Sequence, residues 1–296
     1  SRLASAGLAV RHVHTVVVTH SHPDHFGGAA RLAKEAGADI VAHAAFRNWW
    51  HGSEEEAAEE AVSDDLDPED LPAGPGSGGS PFAQPTPWGG KGFAPPGRRR
   101  LLARLMGPRL ARRYGPPAVT RKLRHGDEID LGGRPWRAVH TPGHTLDHLC
   151  LHDAENGVLL SGDHVLPSIT PHIPGMNGGR DPLALFFDSL DRVDGLGGVS
   201  QVLPAHGHPF PDLNARIAAI RKHHDERLAT LRDIAASLGP TTVEEFSHHL
   251  FRPRSWGSMA ESETYAHLEH LRLAGEAERF EHDGILIYDL VGATGA

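Results

Sequence analysis

The chain has 296 residues, room for one large domain with a smaller one or with a long insertion, and enough to bury a core without staples. Hydrophobic residues are 39% and charged residues 23%, with 34 Gly and 23 Pro, which excludes a coiled coil and a wholly disordered chain. A net charge of -9 and scarce aromatic residues argue against a general nucleic-acid binder, and the distinctive figure is 23 histidines beside a single cysteine, Cys150.

The first residues, SRLASAGLAV, carry neither an initiator Met nor the apolar block of a signal peptide, so the expectation is a chain that starts inside a longer protein. No apolar run approaches the length of a membrane span, and one cysteine permits no internal disulfide, which makes a cytoplasmic location the expectation. Residues 13–19 (VHTVVVT) read as a buried strand that runs into a histidine-rich turn. Residues 26–36 read as a helix after Gly27 and Gly28, and residues 38–42 as a second buried strand, together a layered α/β start. From about 47 to 121 the texture changes. Residues 54–70 hold ten acidic and no basic side chains, 72–97 are rich in Pro and Gly, and 98–113 hold seven arginines around Leu101, Leu102, Leu105 and Leu110. This is an insertion, read either as a solvated charged loop or as a basic lid over an anionic substrate, with Trp49 and Trp50 at its entry.

Short strands follow: 122–131 with a Gly-Asp turn, 136–140, 148–152 and 157–160, a meander within one sheet. A helix over 182–193, a strand over 199–203 and a long helix over 213–237 come next. Gly239 and Pro240 stop that helix. Thr241 or Thr242 caps another over 243–250, Ser262 caps a third through Leu273, and 277–290 alternates as a hairpin about Asp283-Gly284. Helix, helix, hairpin is the outline of a winged helix.

The strongest local signal is His20-Ser21-His22-Pro23-Asp24-His25 at the end of a buried strand, three imidazoles and a carboxylate within six residues. Such a nitrogen and oxygen donor set suits zinc and related divalent ions. Three later segments end predicted strands with a further donor among turn residues: His144 in TPGHTLDH, Asp163 in LLSGDH and His206 in LPAHGHP. Five histidines and two aspartates suffice for two ions with open positions, which would lower the pKa of a bridging water toward neutrality.

THSHPDHFGG, TPGHTLDH, SGDHVL and PAHGHP, in that order, resemble the metallo-β-lactamase superfamily, whose motif HxHxDH is followed by a separate His, Asp and His. The resemblance covers residues 13–46 and 123–215. It implies an αββα sandwich within an α/β class, with a catalytic domain over 1–222 and a winged-helix-like unit over 223–296. It also implies His20, His22 and His144 on a first metal, Asp24, His25 and His206 on a second, and Asp163 bridging them. Two departures stand out: only nineteen residues precede His20, where the family normally has a hairpin and a strand, and the 47–121 segment matches no family pattern.

Two-zinc lactamases typically have a Cys among the second-site ligands. Cys150 instead alternates into a strand and reads as core, which disfavours lactams. Thioesterases of the glyoxalase II type share the all-His/Asp set but end in a different helical unit. Hydrolases carrying TPGHT, a following DH, SGD and a winged-helix-like ending are the nearer likeness. The expected function is a dinuclear hydrolase that attacks an ester or thioester with a metal-bound hydroxide oriented by Asp24. The alternatives are a phosphodiesterase or endoribonuclease of the same fold, and a binding protein without turnover. Residues 240–296 hold four basic and ten acidic side chains, so nucleic acid is not the expected partner of that unit, which reads as a structural or homodimerising module. His148, His164 and His208, near proposed ligands, read as supporting hydrogen-bond residues. His43, His172, His223, His224, His248 and His249 read as surface or packing residues.

Overall fold

Short, largely buried strands build two sheets that pack face to face, with helices outside them. The computed structural model describes residues 2–46, 86–89, 116–175 and 181–290. Helix α1 (Arg2–Ser5) leads to β1 (Thr15–Val17), α2 (Pro23–Phe26), α3 (Ala29–Ala36) and β2 (Asp39–His43), and β3 (Arg121–Leu123) pairs parallel with β2 to complete a first sheet in the order β1-β2-β3. The second sheet runs β4 (Glu128–Asp130), β5 (Pro135–His140), β6 (Leu149–Asp153), β7 (Val158–Gly162) and β8 (Gln201–Pro204) in chain order. It is antiparallel until β8, which pairs parallel with β7 after a crossover through α4 (Pro182–Asp194).

Side chains alternate across β5, β6 and β7, and this sorts the core into layers. Ala138, Leu149 and Leu151 face the first sheet with Val41 and Leu123, whereas Val139, Cys150 and Leu159 face the helices. The outer face of the first sheet is covered by Ala29 and Ala33 of α3 and by Phe26. The outer face of the second is covered by α4 through Leu183, Phe186, Leu190 and Val193, one stripe at helical spacing. Asp181 caps α4 by accepting from the backbone of Leu183 and Ala184, and Pro182 opens its first turn. The result is the α/β sandwich of helix, sheet, sheet, helix.

Helix α5 (Leu213–Leu238) buries Leu213, Ile217, Ile220, His224, Leu228, Leu231 and Ala235 along its whole length. It continues through 222–223 and joins the sandwich to α6 (Val243–Leu250), α7 (Ser258–Leu273) and a hairpin of β10 (Ala277–His282) and β11 (Ile285–Leu290), to which β9 (Thr241–Thr242) adds a third strand. One buried cluster runs from Val139 to Tyr288, so the sandwich and this C-terminal unit share a core.

Three expectations change. The 122–131 stretch is not a meander in one sheet, since β3 belongs to the first sheet and β4 to the second; the turn at Gly126, with φ 87°, carries the chain from one to the other. The 26–36 helix is two pieces, broken at Gly27-Gly28. Helix α7 starts four residues before Ser262, after Gly257, and Ser262 sits inside it with its hydroxyl accepting from Gly175 N–H at 3.2 Å. Within the 47–121 stretch, Trp88 is 2% exposed against the C-terminal unit. Its indole Nε1 donates to Glu261 at 2.9 Å and its carbonyl accepts from Leu286 N–H at 3.1 Å. The 98–113 lid reading, Trp49 and Trp50 lie outside the described residues.

Candidate metal centre

Beyond β1 the chain passes through Thr19 into the histidine turn, and Thr19 C=O accepts from Leu149 N–H at 2.8 Å. That bond ties the two sheets together at the end where the donors gather. His22 occupies the N-cap of α2 in an extended conformation and Pro23 takes the first helical position, so the helix begins at the donor and carries Asp24 and His25 on its only turn. Phe26 closes the turn as a buried side chain whose ring lies edge-on to Phe46 at 6.2 Å. Ser21, between two donors, points inward and donates to Asp147 Oδ1 at 2.9 Å.

All seven residues singled out by sequence converge. His22 Nδ1 lies 3.0 Å from His20 Nε2 and 3.1 Å from His144 Nε2, which makes a first triad. Asp24 Oδ2 lies 3.4 Å from both His25 Nε2 and His206 Nε2, and those two nitrogens are 3.2 Å apart, which makes a second. Asp163 Oδ2 stands between them, 3.3 Å from His25, 3.6 Å from His206, 3.7 Å from His144 and 4.0 Å from His20. The first triad is sunk in the protein, with His20 and His144 buried. The second opens to solvent, with the Asp24 side chain 62% exposed and that of His206 49% exposed.

The surroundings decide which nitrogen each ring offers. His144 Nδ1 lies 2.7 Å from the carbonyl of His172; a carbonyl only accepts, so Nδ1 carries the proton and Nε2 keeps its lone pair. His148 Nε2 accepts from Asp163 N–H at 3.0 Å, so its Nδ1–H donates to Thr141 Oγ1 at 2.7 Å. Gly162, with φ 52°, leaves room for that ring, since a Cβ there would stand 2.5 Å from His148 Nε2. His140 Nε2 donates to Leu146 C=O at 2.8 Å and holds the turn after His144, while His43 stacks flat on His140 at 3.8 Å. Gly143 is pressed against α4, where a Cβ would stand 2.5 Å from that of Phe186.

Burial, then the neighbouring imidazoles His148, His144 and His25, pushes His20 far below the usual histidine range. Burial, then His22, brings His144 down to about 4. Burial raises the Asp163 carboxyl, but His25, by hydrogen bond and charge, and the charges of His144 and His206 outweigh it and keep it low. At neutral pH the first triad is therefore neutral imidazoles, with the Nε2 lone pair of His144 turned inward, beside an anionic carboxylate. Asp163 Oδ1 is buried with no hydrogen-bond partner among the described residues, as expected of an oxygen meant for a cation. The donor set and that orphan oxygen fit divalent metal ions.

Of the neighbours, His148 makes the supporting bond expected of it, His164 is buried beside Phe186, and His208 is exposed. Cys150 is core, its thiol pushed up to about 12 by burial. Sequence reasoning missed Ser21, Asp147 and the His172 carbonyl. Ser21 and Asp147 lie inside the quoted motifs, where a hydroxyl between two donors and a carboxylate beside His148 were the available signals.

The family description "Metallo-beta-lactamase superfamily" matches residues 1–240. Among curated proteins, the chain is 38% identical over 103 residues to acyl-coenzyme A thioesterase MBLAC2 of Gallus gallus, which is 34% of this chain and 36% of that protein. It is 34% identical over 96 residues to atrochrysone carboxyl ACP thioesterase AacuM of Aspergillus aculeatus, 32% of this chain and 28% of that protein. The chain thus spans about a third of the length of the curated relatives it matches. A solved beta-lactamase domain protein from Burkholderia ambifaria is 30% identical, with a TM-score of 0.68, over 97% of this chain and 76% of that one.

Proposed function

Because the chain belongs to the metallo-beta-lactamase superfamily, we propose that it is a metal-dependent hydrolase acting on an ester or thioester with two divalent ions, zinc by the character of the donors. His20, His22 and His144 are assigned to one ion, Asp24, His25 and His206 to the other, and Asp163 to both. The observation that carries this reading is the meeting of five imidazoles and two carboxylates in two triads about Asp163.

Ions held there supply Lewis acidity, which brings the pKa of water toward neutrality and stabilises charge on a carbonyl oxygen. The chain's own residues supply orientation. Asp24 presents a solvent-facing carboxylate that accepts a hydrogen bond from the attacking water and aims it at the acyl carbon. The acyl group enters from the side of Asp24 and His206, since His20 and His144 close the other. Cys150, with its thiol raised and buried, does not act as a nucleophile.

Two relatives named as thioesterases support an acyl thioester as the substrate class. Ten acidic against four basic side chains over 240–296 support an acyl substrate over RNA. Residues 1–222 are assigned to catalysis and 223–296 to a winged-helix-like structural or dimerising unit, supported by its helix, helix, hairpin order. A lone buried cysteine supports a reducing compartment such as the cytoplasm, and among the described residues no helix is long and apolar enough to cross a membrane.

The test is elemental analysis followed by assays on acyl-coenzyme A thioesters, simple esters, lactams and single-stranded RNA. About two zinc ions per chain and thioester turnover are expected. Less than one metal ion per chain overturns the metal reading, and RNA cleavage without acyl hydrolysis overturns the substrate reading.

A further inference from the structure

The carbonyl that fixes the proton on His144 belongs to His172, in a stretch without regular secondary structure, so side chains must hold it in place. Those ties lead to α7. Gly175 N–H donates to Ser262 Oγ, and a Cβ on Gly175 would stand 2.3 Å from the Tyr265 ring, so loop and helix touch directly. The His172 ring meets Glu263 one residue along the helix, Nδ1 to Oε2 at 3.2 Å. Glu263 is 8% exposed, and its other oxygen is taken by Arg227 of α5. A buried carboxylate gripped from both sides holds its partners in one geometry, unlike a mobile surface pair.

We propose that Glu263, more than 90 residues beyond the loop it grips, is a positioning residue for the metal centre: it holds the His172 ring, and the His172 carbonyl thereby sets the ring angle and free nitrogen of His144. The inference rests on the assignment of His144 as a metal ligand. Loss of a residue that orients a metal-bound histidine typically costs about tenfold to a hundredfold in metal affinity. The C-terminal unit thus contributes to the site without any donor of its own. A second buried carboxylate on α7, Glu269, accepts from Tyr288, Arg272 and Arg279 and makes no bond to the His172 loop among those described, which makes it a control for general damage to the helix.

The experiment measures zinc affinity of the full chain by chelator competition, with the visible spectrum of the cobalt-substituted protein as a second readout. Glu263→Ala is expected to weaken one of the two ions by roughly tenfold to a hundredfold and to alter the cobalt spectrum. Glu263→Gln, which keeps an acceptor for His172, should recover part of the loss. Glu269→Gln should lower the melting temperature and leave zinc affinity and spectrum as in the parent. Should Glu263→Ala fail to fold, His172→Ala keeps the carbonyl, removes the grip and is expected to show the same loss. Parent-like affinity and spectrum in Glu263→Ala or His172→Ala overturn the proposal while the metal reading stands, as does an equal loss in Glu269→Gln. A parent chain that binds no zinc overturns the metal reading and this inference with it.

Discussion

His148 Nε2 accepts the backbone N–H of Asp163 at 3.0 Å, so a ring that belongs to neither triad fixes the residue that stands between them. His148→Ala removes this acceptor in a fully buried place. The stranded N–H should cost about 1–3 kcal/mol, and the loosened Asp163 should weaken metal binding by roughly tenfold to a hundredfold. Denaturant unfolding and zinc competition read the two effects separately. Unchanged zinc affinity would show that Asp163 needs no such support.

Asp24 tests the chemistry. Asp24→Asn keeps the size but removes the charge and one strong acceptor on the open side of the site. At saturating zinc, kcat should fall at least about a hundredfold. His208→Ala should fall less, since His208 is exposed and outside both triads. Metal content must be checked in each variant. A dead His208→Ala beside a fully active Asp24→Asn would redraw the donor assignment around His208.

Glu263 also sets a pH signature. Burial would raise its carboxyl, but the bond to His172 and the charge of Arg227 outweigh that and bring it down to about 2. The folded value thus lies below the ordinary one of about 4. The carboxylate's contribution to stability is therefore complete above about pH 4 and is lost as pH falls through about 2. In the metal-free protein, Glu263→Gln should melt below the parent at neutral pH, with a gap that narrows on acidification below about pH 4. A constant gap down to about pH 3 would contradict this linkage.

Trp88 gives a purely structural test. Trp88→Ala empties a buried site between Tyr265 and the hairpin and strands the Glu261 contact, at a cost of about 3–5 kcal/mol. Thermal unfolding should show the loss while zinc content stays at the parent level. A melting temperature equal to the parent's would mean that Trp88 is not packed as described.

The convergence of the seven residues was legible because their motifs follow predicted strands, where a sheet delivers side chains to a common edge. The layers were legible only through the family resemblance, because β6 is buried along its whole length and shows no alternation of apolar and polar residues. The transfer of β3 to the first sheet was not. Three residues, RKL, pair as well with one neighbour as with another, and only the turn at Gly126 separates them from β4. Ser262 read as a helix cap because its residue type favours one. The helix instead starts at Ser258, and the hydroxyl serves a loop some ninety residues away. His172 and Glu263 carry no local motif at all, since their meeting depends on α7 folding back over the sandwich.

Helix α5 bears on how this protein can be divided. Its buried stripe begins at Leu213 under the sandwich and ends at Ala235 among the C-terminal elements, without a break at 222–223. A fragment ending there would keep Leu213, Ile217 and Ile220 but uncover the part of α4 that packs against α7. A fragment starting there would carry His224 without the Phe186 and Phe187 rings that pack edge-on against it. Neither piece is a ready-made building block for fusion or grafting, and recombination that exchanges the ending of this chain must bring its own matching length of helix.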